Sequence, residues 1–335
     1  MATLPVQRPD ATDVEAGPPT PPKERRRRGR RVSATSGARY PRWYWPAFAA
    51  PGIIWLGVLF VLPLYVVISI AFGTIDPLFR TPVPTWNPAW WDTTALRTLL
   101  GHIFGSDAFL APAFVRTFAY VTVATALCLL VAYPVAYFVA RYAGRRKVFY
   151  LLLLVAPFWI SYMMRMLAWV NLLSTDGLLN RGLVGAGLIG GPVNWLDGRA
   201  STVVLGLTYG YVPYMALPLF AALDRIDPSL LEASRDLGAS RARTFWRVTL
   251  PMSRPAILAG VVITALPMFG DYFTNDLLSG SPGTSMVGNL INDAVSTPGQ
   301  AITGAVLVVL LMVILLIPML WYVRATARAD TEAGR

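Results

Sequence analysis

Six uncharged apolar runs constrain this chain more than any other feature: residues 47–72, 117–140, 148–164, 201–223, 255–270 and 301–323. A hydrocarbon layer of about 30 Å is crossed by roughly 20 helical residues rising about 1.5 Å each, so each run is long enough, or nearly so, to span a bilayer. The runs are continuously apolar and do not alternate, which selects helices over a barrel. Only 14% of the 335 residues are charged and 55% are hydrophobic, as such an organisation requires. The expected fold is an all-α integral membrane protein with six transmembrane helices.

Orientation follows from the basic residues, because positively charged loops stay in the cytoplasm. With both termini cytoplasmic, 23 of the 29 Lys and Arg fall on the inner side, among them Arg141, Arg145, Arg146, Lys147, Arg225, Arg235, Arg241, Arg243, Arg247 and Arg254. The formal charge of +11 then reflects topology, and no nucleic-acid partner is needed to account for it. The expected division is a disordered basic cytoplasmic tail over 1–42, a membrane domain over 43–324, and a short cytoplasmic tail over 325–335. The run Glu24–Arg31 fixes topology or binds anionic lipid or RNA. The stretch Pro84–Trp91, PTWNPAWW, suits an interfacial aromatic belt or a docking surface. The single cysteine, Cys128, and the single histidine, His102, exclude an intrachain disulfide and a Cys/His metal cluster, so no metal site is expected.

Between the fourth and fifth runs lies a polar segment, 224–254, with strong local signals. Asp227-Pro228 reads as an N-cap followed by proline at the first helical position. A short helix to Leu237 places Ile226, Leu230, Ala233 and Leu237 on one face and Glu232, Arg235 and Asp236 elsewhere. Gly238 supplies a left-handed residue to end it, and Ser240 caps a second helix carrying Phe245, Trp246 and Val248. That helix is expected to stop near Leu250, because Pro251 has no N–H to continue the bonding.

The spacing Glu232-Ala233-Ser234, Gly238, Val248, Leu250-Pro251 resembles the EAA loop of ABC importer permeases, with Ser in the third place and Val for the usual Ile. In that family the loop couples the membrane spans to an ATPase subunit. Similarity to the spermidine/putrescine permeases extends from about Trp45 to Tyr322, through Pro157–Leu173, Gly177–Asn180, Tyr209–Ala239 and Phe269–Gly280. Gly-Asp-Tyr and Asn-Asp-Leu-Leu-Ser-Gly stand where Gly-Glu-Phe and Pro-Glu-Leu-Leu-Gly-Gly are usual, and the long basic tail is not a usual family feature. The resemblance implies a type I ABC importer permease fold in a bacterial cell membrane. It also implies two ATP-binding subunits as partners, a second permease chain, and an extracytoplasmic substrate-binding protein.

No Walker A loop is present, since neither Lys23 nor Lys147 is followed by Ser or Thr. ATP is therefore expected on a partner subunit, with no cofactor and no covalent chemistry in this chain. A polyamine cargo favours carboxylates and aromatic faces. Asp271 and Tyr272, with Trp159, Tyr162, Tyr209, Tyr211 and Tyr214, supply them, although helix packing is the ordinary use of such aromatics. Iron, phosphate, sulfate, sugar and amino-acid importers share the loop, and a passive channel is the alternative of another class. Arg165 lies 18 residues beyond Lys147, and Asp271 lies 17 beyond Arg254. Straight spans place both roughly 26 Å from the inner boundary. There they pair, face a polar pathway, or snorkel to the outer head groups.

Overall fold

The computed structural model describes residues 44–106 and 108–333, with side chains from Pro46 to Arg324. The expected basic tail over 1–42 and its Glu24–Arg31 run lie outside the described residues. The chain divides into two compact units, Met1–Trp55 and Leu56–Arg335. In the first, the described residues belong to α1 (Tyr44–Leu56), whose side chains from Pro46 onward are almost all exposed.

The second unit opens with a π-helical turn, Gly57–Val61, and α2 (Leu62–Ala71). A two-residue antiparallel hairpin pairs β1 (Thr74–Ile75) with β2 (Pro82–Val83). Then come α3 (Thr94–Phe104), α4 (Ala111–Tyr142), α5 (Lys147–Val155), α6 (Tyr162–Leu173), α7 (Leu178–Gly185) and α8 (Ala200–Arg225). The remainder is α9 (Pro228–Asp236), α10 (Arg241–Thr244), a second π turn (Phe245–Thr249), α11 (Leu250–Phe269), α12 (Phe273–Leu278), α13 (Val287–Ser296) and α14 (Ala301–Ala333).

Among the described residues, five helical stretches are long and apolar enough to cross a membrane: Pro46–Ala71, Ala111–Tyr142, Ala200–Arg225, Arg241–Phe269 and Ala301–Arg324. A sixth exists if the pair Gly144–Trp159 and Tyr162–Gly185, bent by 88°, counts as one span. The expected straight run over 148–164 is thus broken. After α5 the chain tightens into a 3-10 turn at Ala156–Trp159 that contains Pro157, and Ile160 is extended. Ser161 then starts α6 afresh by accepting the N–H of Met164 at 3.3 Å.

A second departure concerns Pro251, where the helix continues instead of stopping. The π turn lets α10 run into α11, with the Leu250 N–H bonded to the Phe245 carbonyl. Pro251 takes an early position in α11, where no α-type donor is demanded of it. The first π turn is likewise followed by Leu-Pro, at Leu62-Pro63. At the C-terminus, helical backbone continues through the expected tail to Ala333.

The core is built on α4 and α8, with α11 packed against both. Ala124, Cys128, Ala132, Ala136 and Ala140 form a buried four-residue repeat along α4, allowing close backbone approach where lipid supplies no hydrophobic drive. On α8, Gly206 and Gly210 play the same part. A Cβ on Gly206 would lie 2.3 Å from Leu278 and 2.7 Å from Thr274, and one on Gly210 would lie 2.7 Å from the Tyr162 ring. Those absent side chains admit α12 and α6. Buried polar groups bond across helices, as Tyr133 does with Ser253 at 3.0 Å and the Val287 N–H with Thr117 Oγ1 at 2.8 Å.

Candidate functional site

The polar segment between α8 and α11 folds as a helical hairpin. Asp227 caps α9 by accepting the Ser229 N–H at 2.9 Å, and that bond holds its carboxyl below the usual carboxylate range. The Ala239 N–H reaches the Ser234 carbonyl at 3.1 Å and the Gly238 N–H the Arg235 carbonyl at 2.8 Å, while Gly238 sits at φ +82°. This is a Schellman termination, with its left-handed residue where the sequence demanded one. A Cβ on Gly238 would meet nothing within 4 Å, so the requirement there is conformational and not steric.

Ser240 accepts the Arg243 N–H at 3.3 Å and opens the second arm, and the Ser234 hydroxyl bonds Thr244 at 3.1 Å, tying the arms together. Phe245 packs edge-on to Tyr133 and Tyr137, anchoring the hairpin to α4. Val248, Leu250 and Pro251 are half-buried at the root. Glu232 and Ala233 are exposed, and so are Leu230 at 45%, Leu237 at 89% and Trp246 at 65%. Of the apolar face expected on α9, only Ile226 is covered by the rest of the chain. The hairpin therefore presents apolar side chains beside Glu232 that no other described residue covers. At its base, Arg141 donates to the Ile226 carbonyl at 3.1 Å, and Lys147 forms an ion pair with Asp224.

The second group of expected residues gathers around Asp271, which is 7% exposed. Its Oδ2 accepts the hydroxyls of Tyr162 at 2.7 Å, Tyr211 at 3.1 Å and Thr274 at 2.9 Å. Its Oδ1 accepts the Thr274 N–H at 2.9 Å, which caps the start of α12. One carboxylate thus joins α6, α8 and α12. The Asp271 carbonyl is pressed against Gly288 of α13, where a Cβ would lie 2.7 Å away.

Arg165 is also 7% exposed, yet it makes no ion pair with Asp271. Its guanidinium lies over the rings of Phe158 at 4.4 Å and Tyr162 at 5.3 Å, so Tyr162 separates the two charges. The 88° bend explains this, because Lys147 and Arg165 do not share one helix axis. Contacts of Phe158 with Tyr214 and of Tyr162 with Gly210 place both charges beside the middle of α8, not at one edge.

The other expected pathway residues disperse. Trp159 is 78% exposed, Tyr209 packs on Trp169 at 5.2 Å, Tyr214 leans on Tyr211 at 5.8 Å, and Tyr272 stacks on Phe273 at 4.2 Å. Thr274, Phe158, Trp169, Gly206 and Gly210 were not anticipated. The small-xxx-small spacing of Gly206 and Gly210 is the signal that marks a close helix contact.

An apolar groove of about 940 Å³ runs between α4 and α8 and is walled by α5 and α6. A second cavity of about 850 Å³ lies between α6 and the turn leading into α7. Arg165 lines both.

Residues 129–329 match the family described as binding-protein-dependent transport system inner membrane component. The spermidine/putrescine transport system permease protein PotB of Escherichia coli (strain K12) is 37% identical over 169 residues, 50% of this chain and 61% of that protein. The PotB of Haemophilus influenzae is 37% identical over 169 residues, covering 58% of its length. The chain thus spans less than two-thirds of the length of these curated relatives. The inner membrane ABC transporter permease protein YdcU of Escherichia coli (strain K12) is 31% identical over 261 residues, 71% of this chain and 76% of that protein. The solved bacterial alginate ABC transporter, in complex with its alginate pentasaccharide-bound periplasmic protein, shares the fold. Its TM-score is 0.65 at 18% identity, covering 86% of this chain and 95% of that one. By the match across most of its membrane helices, this chain belongs to the family of inner membrane components of binding-protein-dependent transport systems.

Proposed function

We propose that the chain is a permease subunit of an ATP-driven importer and that its cargo is a polyamine delivered by an outer binding protein. The helical hairpin at 227–251 carries this reading. It is rigidly terminated at Gly238, bonded arm to arm through Ser234 and Thr244, and exposes Leu230, Leu237 and Trp246 beside Glu232. Such a surface suits docking into a cleft of an ATPase subunit, with Glu232 facing a basic partner residue there. In this orientation the hairpin and both termini are cytoplasmic.

Force on the hairpin has a path into the bundle. The second arm is continuous with α11 through the π turn, and the Arg141 and Lys147 contacts tie the first arm's root to α4 and α5. Closure of two ATPase subunits would tilt these helices together with those of a second permease chain. Spermidine/putrescine permeases among the relatives support a polyamine cargo, and the aromatic-lined carboxylate at Asp271 is chemically compatible with one.

The test is uptake of radiolabelled putrescine into proteoliposomes holding the whole complex, with binding protein outside and ATP inside. Uptake should require ATP hydrolysis and both proteins. Uptake that persists without nucleotide would replace the importer reading with a passive channel.

A further inference from the structure

Arg165 is buried and positively charged, and two of its nitrogens, Nε and Nη1, lack a hydrogen-bond partner among the described residues. A guanidinium offers five N–H donors and never loses its proton, so it stays charged wherever it is placed. Inside a membrane such a group marks a functional site, because its burial is costly without an acceptor. The rings of Phe158 and Tyr162 cover its faces but accept nothing in the guanidinium plane, where the N–H groups point.

The nearby carboxylates do not supply the missing acceptor. Asp271 lies beyond Tyr162 and is already taken by four donors, and Asp176, on the rim of the second cavity, makes no ion pair with Arg165. Among the described residues, no Asp or Glu lines the larger groove.

A second observation points to the same kind of ligand. Arg165 belongs to the first turn of α6, which restarts at Ser161 after an 88° break inside a candidate span. The positive end of a broken helix within the bilayer favours an anionic group. Both cavities reach this point, one along α8 and the other from the turn before α7.

We propose that Arg165 and the start of α6 form a binding site for an oxyanion, a carboxylate or phosphate, entering from these cavities. A molecule lying along the groove would place its chain on the aliphatic walls and its oxyanion against the guanidinium where Arg165 lines the two cavities, a charge-assisted contact. The consequence for cargo rests on the importer reading. Amines that also carry a carboxylate, such as 4-aminobutanoate, become a transported class beside diamines of similar length. The other source of the same chemistry is the phosphate of a phospholipid seated in the groove.

The purified complex in detergent separates these sources by equilibrium binding and ligand-induced thermal stabilisation. In the cargo case, the ratio of 4-aminobutanoate to putrescine affinity falls about 10- to 100-fold in Arg165→Gln, the factor for a hydrogen bond to a charged group, and Arg165→Lys lies between. In the lipid case, the wild type retains phosphatidylglycerol through purification, Arg165→Gln loses it, and 4-aminobutanoate has no effect. Either result upholds the site. Two outcomes overturn it: no difference between wild type and Arg165→Gln toward both probes, or loss of the second permease chain from Arg165→Gln preparations, which would give the guanidinium a protein partner. Failure of the polyamine reading is distinct, since wild type would then neither bind nor import putrescine whatever Arg165 does.

Discussion

Replacing Asp271 tests whether its carboxylate is a structural acceptor or faces the cargo. In Asp271→Ala, the Thr274 N–H loses its cap, worth about 1 kcal/mol, and Tyr211 loses the acceptor 3.1 Å from its hydroxyl. Tyr162 and Thr274, whose hydroxyl oxygens lie 2.5 Å apart, can then donate one to the other, so only part of their loss is felt. With about 1.5–3 kcal/mol for each bond to a charged acceptor that is truly lost, the total is about 3–5 kcal/mol. Asp271→Asn with its oxygen in the Oδ2 position keeps the three hydroxyl donors but sets its NH2 against the Thr274 N–H, losing that cap at about 1–2 kcal/mol. Thermal unfolding of the detergent-solubilised complex should register these as drops of roughly 6–20 °C for Ala and 2–8 °C for Asn, at about 2–4 °C per kcal/mol. A melting temperature for the Ala variant within a degree of wild type would refute the structural role. An Asn variant that melts like wild type but no longer imports putrescine would instead show that the carboxylate meets the cargo.

Gly238 yields a graded series because its constraint is φ alone. ATP-dependent uptake should fall in the order Gly, Asn, Ala, Val, with about 1–2 kcal/mol of local strain for Ala, and equal uptake in all four would remove the left-handed turn from coupling. Gly210→Ala forces the Tyr162 ring away from a contact of 2.7 Å and should cost about 1–3 kcal/mol by overpacking. An unchanged melting temperature would mean that α6 does not pack there. Asp227 caps α9 as a carboxylate, with its pKa depressed below 3.8. Its contribution is therefore fully present above about pH 4 and lost as pH falls through the depressed value, so protease cleavage within the hairpin of the purified complex should be constant from pH 5 to 8. A rise in cleavage across that window would contradict the cap. For topology, a cysteine at Ala239 should react only from the cytoplasm and one at Ser281 only from outside, and reversed labelling would invert the proposed orientation.

Local signals determined a good deal of this protein. The uncharged runs required membrane helices, because an unpaired backbone group in hydrocarbon is too costly for any other element that is continuously apolar. Asp227-Pro228, Gly238 and Ser240 specified the hairpin's caps and turn, since each acts on backbone within a few residues of itself. Helix breaks were less legible. Pro157 and Pro251 carry the same lesion, yet one precedes an extended residue and an 88° bend, while the other is absorbed by a π turn.

The choice between those outcomes belongs to packing, as Ser161 can restart a helix only where Gly210 leaves room for Tyr162. Asp271 and Arg165 show the same limit. Counting residues along straight spans set them opposite each other, but pairing depends on direction, and direction was set by the bend. Asp271 finds its donors 109 and 60 residues away along the chain. Arg165 is left with open donors because Tyr162 stands between them. Periodicity reads a few helical turns, whereas these contacts exist only once α6, α8 and α12 have closed on two glycines.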